Sequence, residues 1–247
     1  MNTSPIAELD RDTSLDRLQS YCDQFHIKLS DEQIGRCLDH LALVIEANKK
    51  MNLTRILNVD DALVLHILDS LLLLKPLEAS PEGRFLDIGT GAGFPGIPLA
   101  IASGRAGVFL DSVGKKVNAV QTFIDTLGIG GVRAVHDRIE HYAIANSVSF
   151  SCVVARALAS LPVLVEYASP LLEFGGLFVV TKGRPEEDEL ASGYSAAEVC
   201  GLDLIDTMSI DLPHSLGHRE VLVFEKIERP RIKLPRAIGL AKKSPLG

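Results

Sequence analysis

The spacing of hydrophobic positions changes about one third of the way along this chain. Between residues 14 and 77 apolar residues recur at steps of three and four, as in Leu38, Leu41 and Val44. This spacing is typical of amphipathic helices, and Ser30 offers an N-cap for one of them. The pattern therefore predicts an all-helical N-terminal segment.

After this segment the pattern changes to short apolar runs, each followed by a glycine turn or a helical stretch. The strand candidates are residues 84–88, 107–110, 132–135, 152–154 and 177–181. Strands that alternate with helices predict a mostly parallel, Rossmann-like α/β sheet covered on both faces. Two later runs, residues 204–210 and 220–226, have no long helix between them, so we expect an antiparallel hairpin at one edge.

These patterns divide the chain into three parts. We expect a helical N-terminal extension over residues 1–80, a sheet domain over residues 81–228 and a basic C-terminal arm over residues 229–247. Net charge is −7, but residues 226–247 hold seven basic residues against one acid. Three prolines there oppose a regular helix, so the arm is expected to be extended, either as a nucleic-acid contact or as a solvated tail.

Composition narrows the class of protein further. A chain of 247 residues with 47% hydrophobic residues can bury a full core in one or two domains. Its apolar runs stay well short of the ~18 residues that a membrane span requires, and its first residues do not resemble a signal peptide. The scattered cysteines form no CxxC pair. We therefore expect a cytoplasmic protein with no membrane contact, reduced buried thiols and no metal site.

The most informative stretch is Arg84-Phe-Leu-Asp-Ile-Gly-Thr-Gly-Ala-Gly-Phe-Pro-Gly-Ile-Pro98, in which a buried strand containing Asp87 runs into a glycine loop. Glycines let the backbone turn sharply and approach a ligand closely. NAD, FAD and S-adenosylmethionine sites all use such loops. A carboxylate at Asp87 would oppose a pyrophosphate but suits the sulfonium and ammonium of S-adenosylmethionine.

Two later turns add candidate cofactor contacts. Asp111 follows the second strand, 24 residues after Asp87, where an acid can accept hydrogen bonds from both ribose hydroxyls; the alternative is a simple helix cap. Residues 137–140 follow the third strand, where class I methyltransferases place the residues that flank adenine. The predicted cofactor contacts are Asp87, Gly89, Gly91, Gly93, Phe94, Asp111, Ser112, Arg138, Ile139, Glu140 and Arg156.

Several blocks, taken in order over most of residues 35–247, resemble one family. They are residues 52–54 (Asn-Leu-Thr), 66–70 (His-Ile-Leu-Asp-Ser), the proline-bearing loop 85–98, 110–116, 154–159, 181–183 and 218–219. Together they are similar to the small-subunit ribosomal RNA guanine-N7 methyltransferases G, also called glucose-inhibited division protein B.

The resemblance implies a class I methyltransferase fold with seven strands and a helical N-terminal extension. It also implies S-adenosylmethionine as methyl donor, with S-adenosylhomocysteine as product, and a guanine in the 530 loop of 16S rRNA, conventionally position 527, as acceptor. The expected partner is 16S rRNA or the small ribosomal subunit, and the expected state is a monomer.

Candidate substrate contacts lie at strand ends and in the helical segment. Arg156 ends a central strand, where its guanidinium can pair with the O6 edge of guanine or with phosphate; the alternative is a salt bridge to Asp87 or another strand-tip acid. Arg138 is the second catalytic candidate. The predicted substrate contacts are Asn52, His66, Asp69, Lys182 and Arg219. The first three could equally pin the extension to the sheet.

Other functions stay open at this point. The chain lacks both the Asn/Asp-Pro-Pro-aromatic motif of exocyclic-amine methyltransferases and a Pro-Cys pair after the fourth strand. The alternatives are a small-molecule methyltransferase, a non-catalytic rRNA-binding assembly factor and an NAD-dependent oxidoreductase, which Asp87 and the absence of a Tyr-xxx-Lys pair disfavour.

Overall fold

A computed structural model describes residues 10–56 and 58–247 and shows a seven-stranded sheet with the order β3-β2-β1-β4-β5-β7-β6. The strands are β1 (Phe85–Ile88), β2 (Gly107–Asp111), β3 (Val132–His136), β4 (Phe150–Arg156), β5 (Leu172–Lys182), β6 (Leu202–Asp211) and β7 (His218–Lys226). The first five strands are parallel, whereas β7 runs antiparallel to both β5 and β6. The predicted parallel sheet with an antiparallel edge hairpin is confirmed.

Helices precede the sheet and connect its strands. They are α1 (Arg11–Gln24), α2 (Asp31–Met51), α3 (Val59–Ala62), α4 (Asp69–Leu71), α5 (Leu74–Ala79), α6 (Gly96–Ser103), α7 (Gly114–Leu127), α8 (Ile139–Ala145), α9 (Leu161–Ala168), α10 (Glu187–Cys200) and α11 (Leu240–Lys243). The predicted cap of α2 is confirmed, because Ser30 accepts a hydrogen bond from the Gln33 amide and Gln33 returns one to Ser30.

Alternating side chains of the strands build a separate core on each face of the sheet. Phe85 of β1 packs with α2, α6 and α7 on one face, whereas its neighbours Leu86 and Ile88 pack with α9 and α10 on the other. The N-terminal helices share the first core, which fixes the extension against the sheet. All four cysteines are buried and unpaired, as expected.

A π-helical segment, Leu63–Leu68, joins α3 to α4. Each π-turn holds one residue more than an α-turn, and such segments often occur at functional sites. Leu65 and His66 of this segment, and Asp69 directly after it, line a pocket together with residues at the ends of β4 and β5, so this irregular turn faces the carboxyl ends of those strands.

The C-terminal residues differ from the extended arm expected from the sequence. Apart from the short helix α11 they lack regular structure, as the prolines predict, but they fold back against α9. Ala241 is only 1% exposed and belongs to the core on that face of the sheet. Apolar residues between the basic ones provide this packing. The prediction of an extended arm considered only the charges and the prolines, and therefore missed it.

Candidate functional site

The glycine loop begins where β1 ends, and Asp87 lies beneath it. Asp87 is fully buried, and its Oδ2 accepts a hydrogen bond from the Gly96 amide at 2.9 Å. Among the residues that the structure describes, its Oδ1 has no hydrogen-bond partner. Burial raises the pKa of Asp87 to about 7, so near neutral pH the carboxyl group is poised between its charged and uncharged forms.

Asp111, at the end of β2, is tied to the same loop. Its Oδ2 accepts from the Gly91 amide at 3.0 Å, and its Oδ1 accepts from the Val113 amide at 2.9 Å. Gly91 has a φ of 60°, a conformation that favours glycine. Each carboxylate oxygen retains a further lone pair, so Asp111 can still accept hydrogen bonds from ribose hydroxyls.

A cleft lies above these residues at the carboxyl ends of β1, β2 and β3. It is lined by Gly89, Leu110, Asp111, Ser112, Arg138, Ile139, Glu140, Leu158, Tyr167 and Lys242. Six of these are predicted cofactor contacts, so the structure brings the three predicted turns together. The acidic side chains that could bind ribose hydroxyls, together with the glycine loop at the base of the cleft, fit S-adenosylmethionine.

The cleft is narrow, with a volume of about 60 Å³, whereas small-molecule sites typically span about 300–1,000 Å³. Leu158 lies over the glycine loop in this cleft, with its Cδ1 only 2.7 Å from where a Cβ on Gly89 would stand. The preceding residue, Ala157, has a φ of 51°, which is unusual for a residue with a side chain.

A second, larger pocket of about 460 Å³ lies between the helical extension and β4, β5 and β7. Its centre is the buried carboxylate of Asp69, which accepts from Arg156 Nη1 at 3.0 Å and from Arg219 Nε at 2.9 Å. Arg156 Nη1 also donates to the Leu65 carbonyl at 2.8 Å. Of the alternatives for Arg156, the structure shows an ion pair, but with a helical acid instead of Asp87.

An aromatic stack supports this pocket. The ring of Phe94 lies parallel to that of His66 with centroids 4.5 Å apart, and the Arg156 guanidinium lies 5.8 Å from the Phe94 centroid. His66 Nε2 and Thr54 Oγ1 are 2.8 Å apart. Burial, together with Arg156, lowers the pKa of His66 to about 3, so this histidine is neutral at physiological pH.

The loop after β4 separates the two cavities. Ala157 lines the larger pocket and Leu158 lines the narrow cleft. A group bound in one cavity therefore has only this short segment between it and the other. This arrangement suits a transfer reaction between two bound molecules.

Some predicted residues lie elsewhere or are already paired. Asn52 is exposed and ends α2 in the left-handed conformation with a φ of 49°, so it acts as a helix cap. Lys182 lines the larger pocket, but its ammonium pairs with Glu189 at 2.6 Å. Arg138 lines the cleft while Arg156 lines the pocket, so the two catalytic candidates do not converge.

The structure also adds residues that were not among the predicted contacts. Thr181, near the end of β5, lines the larger pocket, and its buried Oγ1 has no partner among the residues that the structure describes. Its place in the block 181–183 of the family resemblance was the available signal. Tyr167 and Lys242 also line the cleft, but nothing in the sequence indicated this. They lie in α9 and in the C-terminal segment, far in sequence from the turns that follow β1, β2 and β3.

The part of the chain that the structure describes contains neither a candidate metal-binding cluster nor a candidate membrane-spanning helix. Residues 10–56 and 58–247 contain no group of three or more His, Cys, Asp or Glu side chains placed to hold a metal ion. Within the same residues, no helix combines the length and the apolar character needed to cross a membrane.

The order of the strands, the glycine loop after β1 and the acidic residue at the end of β2 define a class I S-adenosylmethionine-dependent methyltransferase fold. Known structures agree: a putative sarcosine dimethylglycine methyltransferase from Galdieria sulphuraria superposes with a TM-score of 0.54, covering 66% of this chain and 86% of that one at 13% identity.

Sequence comparison is more specific. A family model described as rRNA small subunit methyltransferase G matches residues 33–215. Curated proteins named "Ribosomal RNA small subunit methyltransferase G" are similar over nearly the whole chain. The one from Alkaliphilus oremlandii is 35% identical over 94% of this chain and 98% of its own. The one from Desulfitobacterium hafniense is 37% identical over 90% and 93%. The chain belongs to the family of rRNA small subunit methyltransferases G.

Proposed function

We propose that this protein transfers the methyl group of S-adenosylmethionine to N7 of a guanine in the 530 loop of 16S rRNA, conventionally guanine 527. The observation that carries the proposal is the adjacency of two cavities across residues 157 and 158, one walled by strand-tip acids and the other by two arginines. We further propose that it acts as a cytoplasmic monomer on rRNA or the small subunit.

The chemistry of the acceptor explains which groups the pocket needs. Guanine N7 carries an in-plane lone pair and no proton, so no general base and no metal is required to activate it. When bound, S-adenosylmethionine supplies an electrophilic methyl group on a sulfonium. The chain then has to hold the acceptor in line and to tolerate positive charge as it develops on the guanine ring.

Arg156 and Arg219 are the groups proposed to hold the acceptor. Each uses only part of its guanidinium on Asp69, so N–H donors remain for guanine O6 or for a phosphate. Thr181 Oγ1, which is buried and has no partner among residues 10–56 and 58–247, is a further proposed contact.

Asp69 and His66 are proposed to control the charge of the pocket. Two arginines without compensation would disfavour a purine ring that becomes positive. The Asp69 carboxylate offsets one of these charges, and the neutral His66 adds none.

A narrow cleft next to a pocket that contains arginines would also be compatible with a small-molecule methyltransferase. The decisive experiment is methyl transfer from labelled S-adenosylmethionine to unmodified small subunits and to deproteinised 16S rRNA, with the product mapped by cleavage at N7-methylguanine. Label at one guanine of the 530 loop, lost in Arg156→Ala, supports the proposal. Cofactor binding without label in either RNA contradicts it and leaves a small-molecule enzyme or a silent assembly factor.

A further inference from the structure

The C-terminal segment is attached to α9 by a buried ion pair. Arg236 Nε donates to Glu166 Oε1 at 2.8 Å, a second guanidinium nitrogen pairs with Glu166 Oε2, and Arg236 Nη2 also donates to the Ser244 carbonyl at 2.9 Å. The Glu166 side chain is 3% exposed and that of Arg236 is 18% exposed. Because the bidentate pair is shielded from water, it holds the segment far more firmly than an exposed salt bridge would.

Beyond Arg236 the segment reaches the wall of the cofactor cleft. The amide of Gly239 donates a hydrogen bond at 2.8 Å to Oε1 of Glu140, which is 7% exposed and lines that cleft. Gly239 has a φ of 80°, a left-handed turn that suits glycine and directs the chain into α11. In α11 the buried Ala241 anchors the helix, and Lys242 lies at the cleft rim.

Tyr167 completes this contact from α9. It lines the cleft beside Glu140, and burial together with the Glu140 carboxylate raises the pKa of Tyr167 to about 12. Glu140 thus accepts a hydrogen bond from Gly239 of the C-terminal segment and lies in the cleft wall with Tyr167 of α9. The segment, residues 234–246, therefore contacts the wall of the cleft through Gly239 and Lys242 and is not a free tail.

We propose that residues 234–246 form a strap that completes the cofactor site by holding Glu140 and closing the cleft with Lys242. This inference rests on the proposed function only in its choice of cofactor. Arg236 is a positioning residue, since it touches Glu166 and Ser244 and acts on the cleft through the strap. Of the basic C-terminal residues that the sequence suggested for RNA binding, Arg236 therefore makes its contacts within the protein.

Two matched pairs of variants test the strap by calorimetric titration of S-adenosylhomocysteine in the absence of RNA. Arg236→Ala is paired with Arg231→Ala, because Arg231 is exposed and forms its ion pair with Glu198 of α10, away from the cleft. Arg236→Ala is expected to raise the Kd about tenfold, because binding must then also order a strap that is docked in only about one tenth of the molecules, and Arg231→Ala is expected to leave the Kd unchanged.

Arg236→Lys should restore part of the affinity, since an ammonium can still pair with Glu166 but cannot bond bidentately. In methyl-transfer assays Arg236→Ala should raise the KM for S-adenosylmethionine while kcat stays near the wild-type value. A purely structural defect would instead lower the active fraction and hence the apparent kcat.

The second pair, Lys242→Ala and Lys243→Ala, removes the same charge from neighbouring positions of α11, of which only Lys242 lines the cleft. Neither change should unfold the chain, so this pair decides the question if Arg236→Ala does not fold. Lys242→Ala should weaken binding of S-adenosylhomocysteine, and Lys243→Ala should not.

Hydrogen exchange on the wild-type chain gives an independent measurement. Saturating S-adenosylhomocysteine should slow exchange of backbone amides in residues 236–246. Unchanged exchange there, or equal Kd values within both pairs of variants, overturns the strap even if rRNA is methylated. Conversely, strap-dependent binding without methylation of rRNA supports the strap and contradicts the rRNA assignment.

Discussion

Arg219 Nε lies 2.9 Å from a carboxylate oxygen of Asp69, although 150 residues separate them in the chain. The contact joins the edge hairpin of the sheet to the helical extension. Arg156 binds the other oxygen of the same carboxylate from a central strand. One buried side chain therefore sets the relative position of three parts of the molecule at the proposed substrate pocket.

Asp69→Asn should cost both stability and activity. An amide keeps one acceptor but leaves two partly buried arginines without a countercharge, so we expect a loss of about 2–4 kcal/mol in the free energy of unfolding. The measurement is urea denaturation. Asp39→Asn is the control, because Asp39 pairs with Arg11 on the surface, and it should change stability by less than about 1 kcal/mol. Equal losses in the two variants would contradict the special role of Asp69.

Arg156→Lys should lower kcat/KM for rRNA about 100-fold while the Kd of S-adenosylhomocysteine stays unchanged. Arg156 makes both protein contacts through Nη1 and keeps its other two nitrogens for the base, whereas a lysine has only one nitrogen and cannot pair bidentately with a base edge once it binds the Leu65 carbonyl and Asp69. The matched control is Arg84→Lys, where an arginine lies over the ring of Phe150 at the start of β1. A large rise in the Kd of Arg156→Lys would place Arg156 in the cofactor site instead.

Asp87 should make cofactor binding depend on pH. Burial raises its pKa in the folded chain to about 7, above the ordinary value of 3.8, so its contribution to stability is fully present below pH 3.8 and is lost as pH rises from there through 7. A bound cation favours the ionised form. Affinity for S-adenosylmethionine should therefore increase between pH 6 and 8, by no more than about tenfold per pH unit.

Asp87→Asn provides the test of this pH dependence. The variant should bind more weakly, with a flat pH profile, and its apo form should melt at a higher temperature than wild type above pH 7. Titration calorimetry in buffers of different ionisation enthalpy measures the proton released on binding. The same proton release in wild type and Asp87→Asn would assign it to another group.

Gly96→Ala should destabilise the chain by about 1–3 kcal/mol through overpacking. A Cβ at this position would lie 2.6 Å from the Phe109 ring and 2.8 Å from Asp87 Oδ2, so the glycine loop would have to shift. Gly130→Ala is the control, since a Cβ there meets nothing within 4 Å. Differential scanning calorimetry should show a lower Tm for Gly96→Ala alone, and equal Tm values would contradict the steric argument.

The sequence predicted the fold and six of the residues that line the narrow cleft, because both depend on local patterns. Hydrophobic spacing locates the strands, and the turns that follow them carry Asp111, Arg138 and Glu140. The sequence could not predict which charges pair, since the contacts of Arg156 with Asp69 and of Lys182 with Glu189 depend on packing between distant elements. For the same reason it described the C-terminal residues only as basic.

The hydrogen bond between Gly239 and Glu140 spans 99 residues of sequence. During synthesis the N-terminal parts of a chain emerge and fold first. The seven strands can therefore assemble while the last wall of the cofactor cleft is still being made. A nascent chain that stalls before residue 234 would have a complete sheet but an unfinished cleft, so cofactor binding would mark molecules whose translation has passed that point.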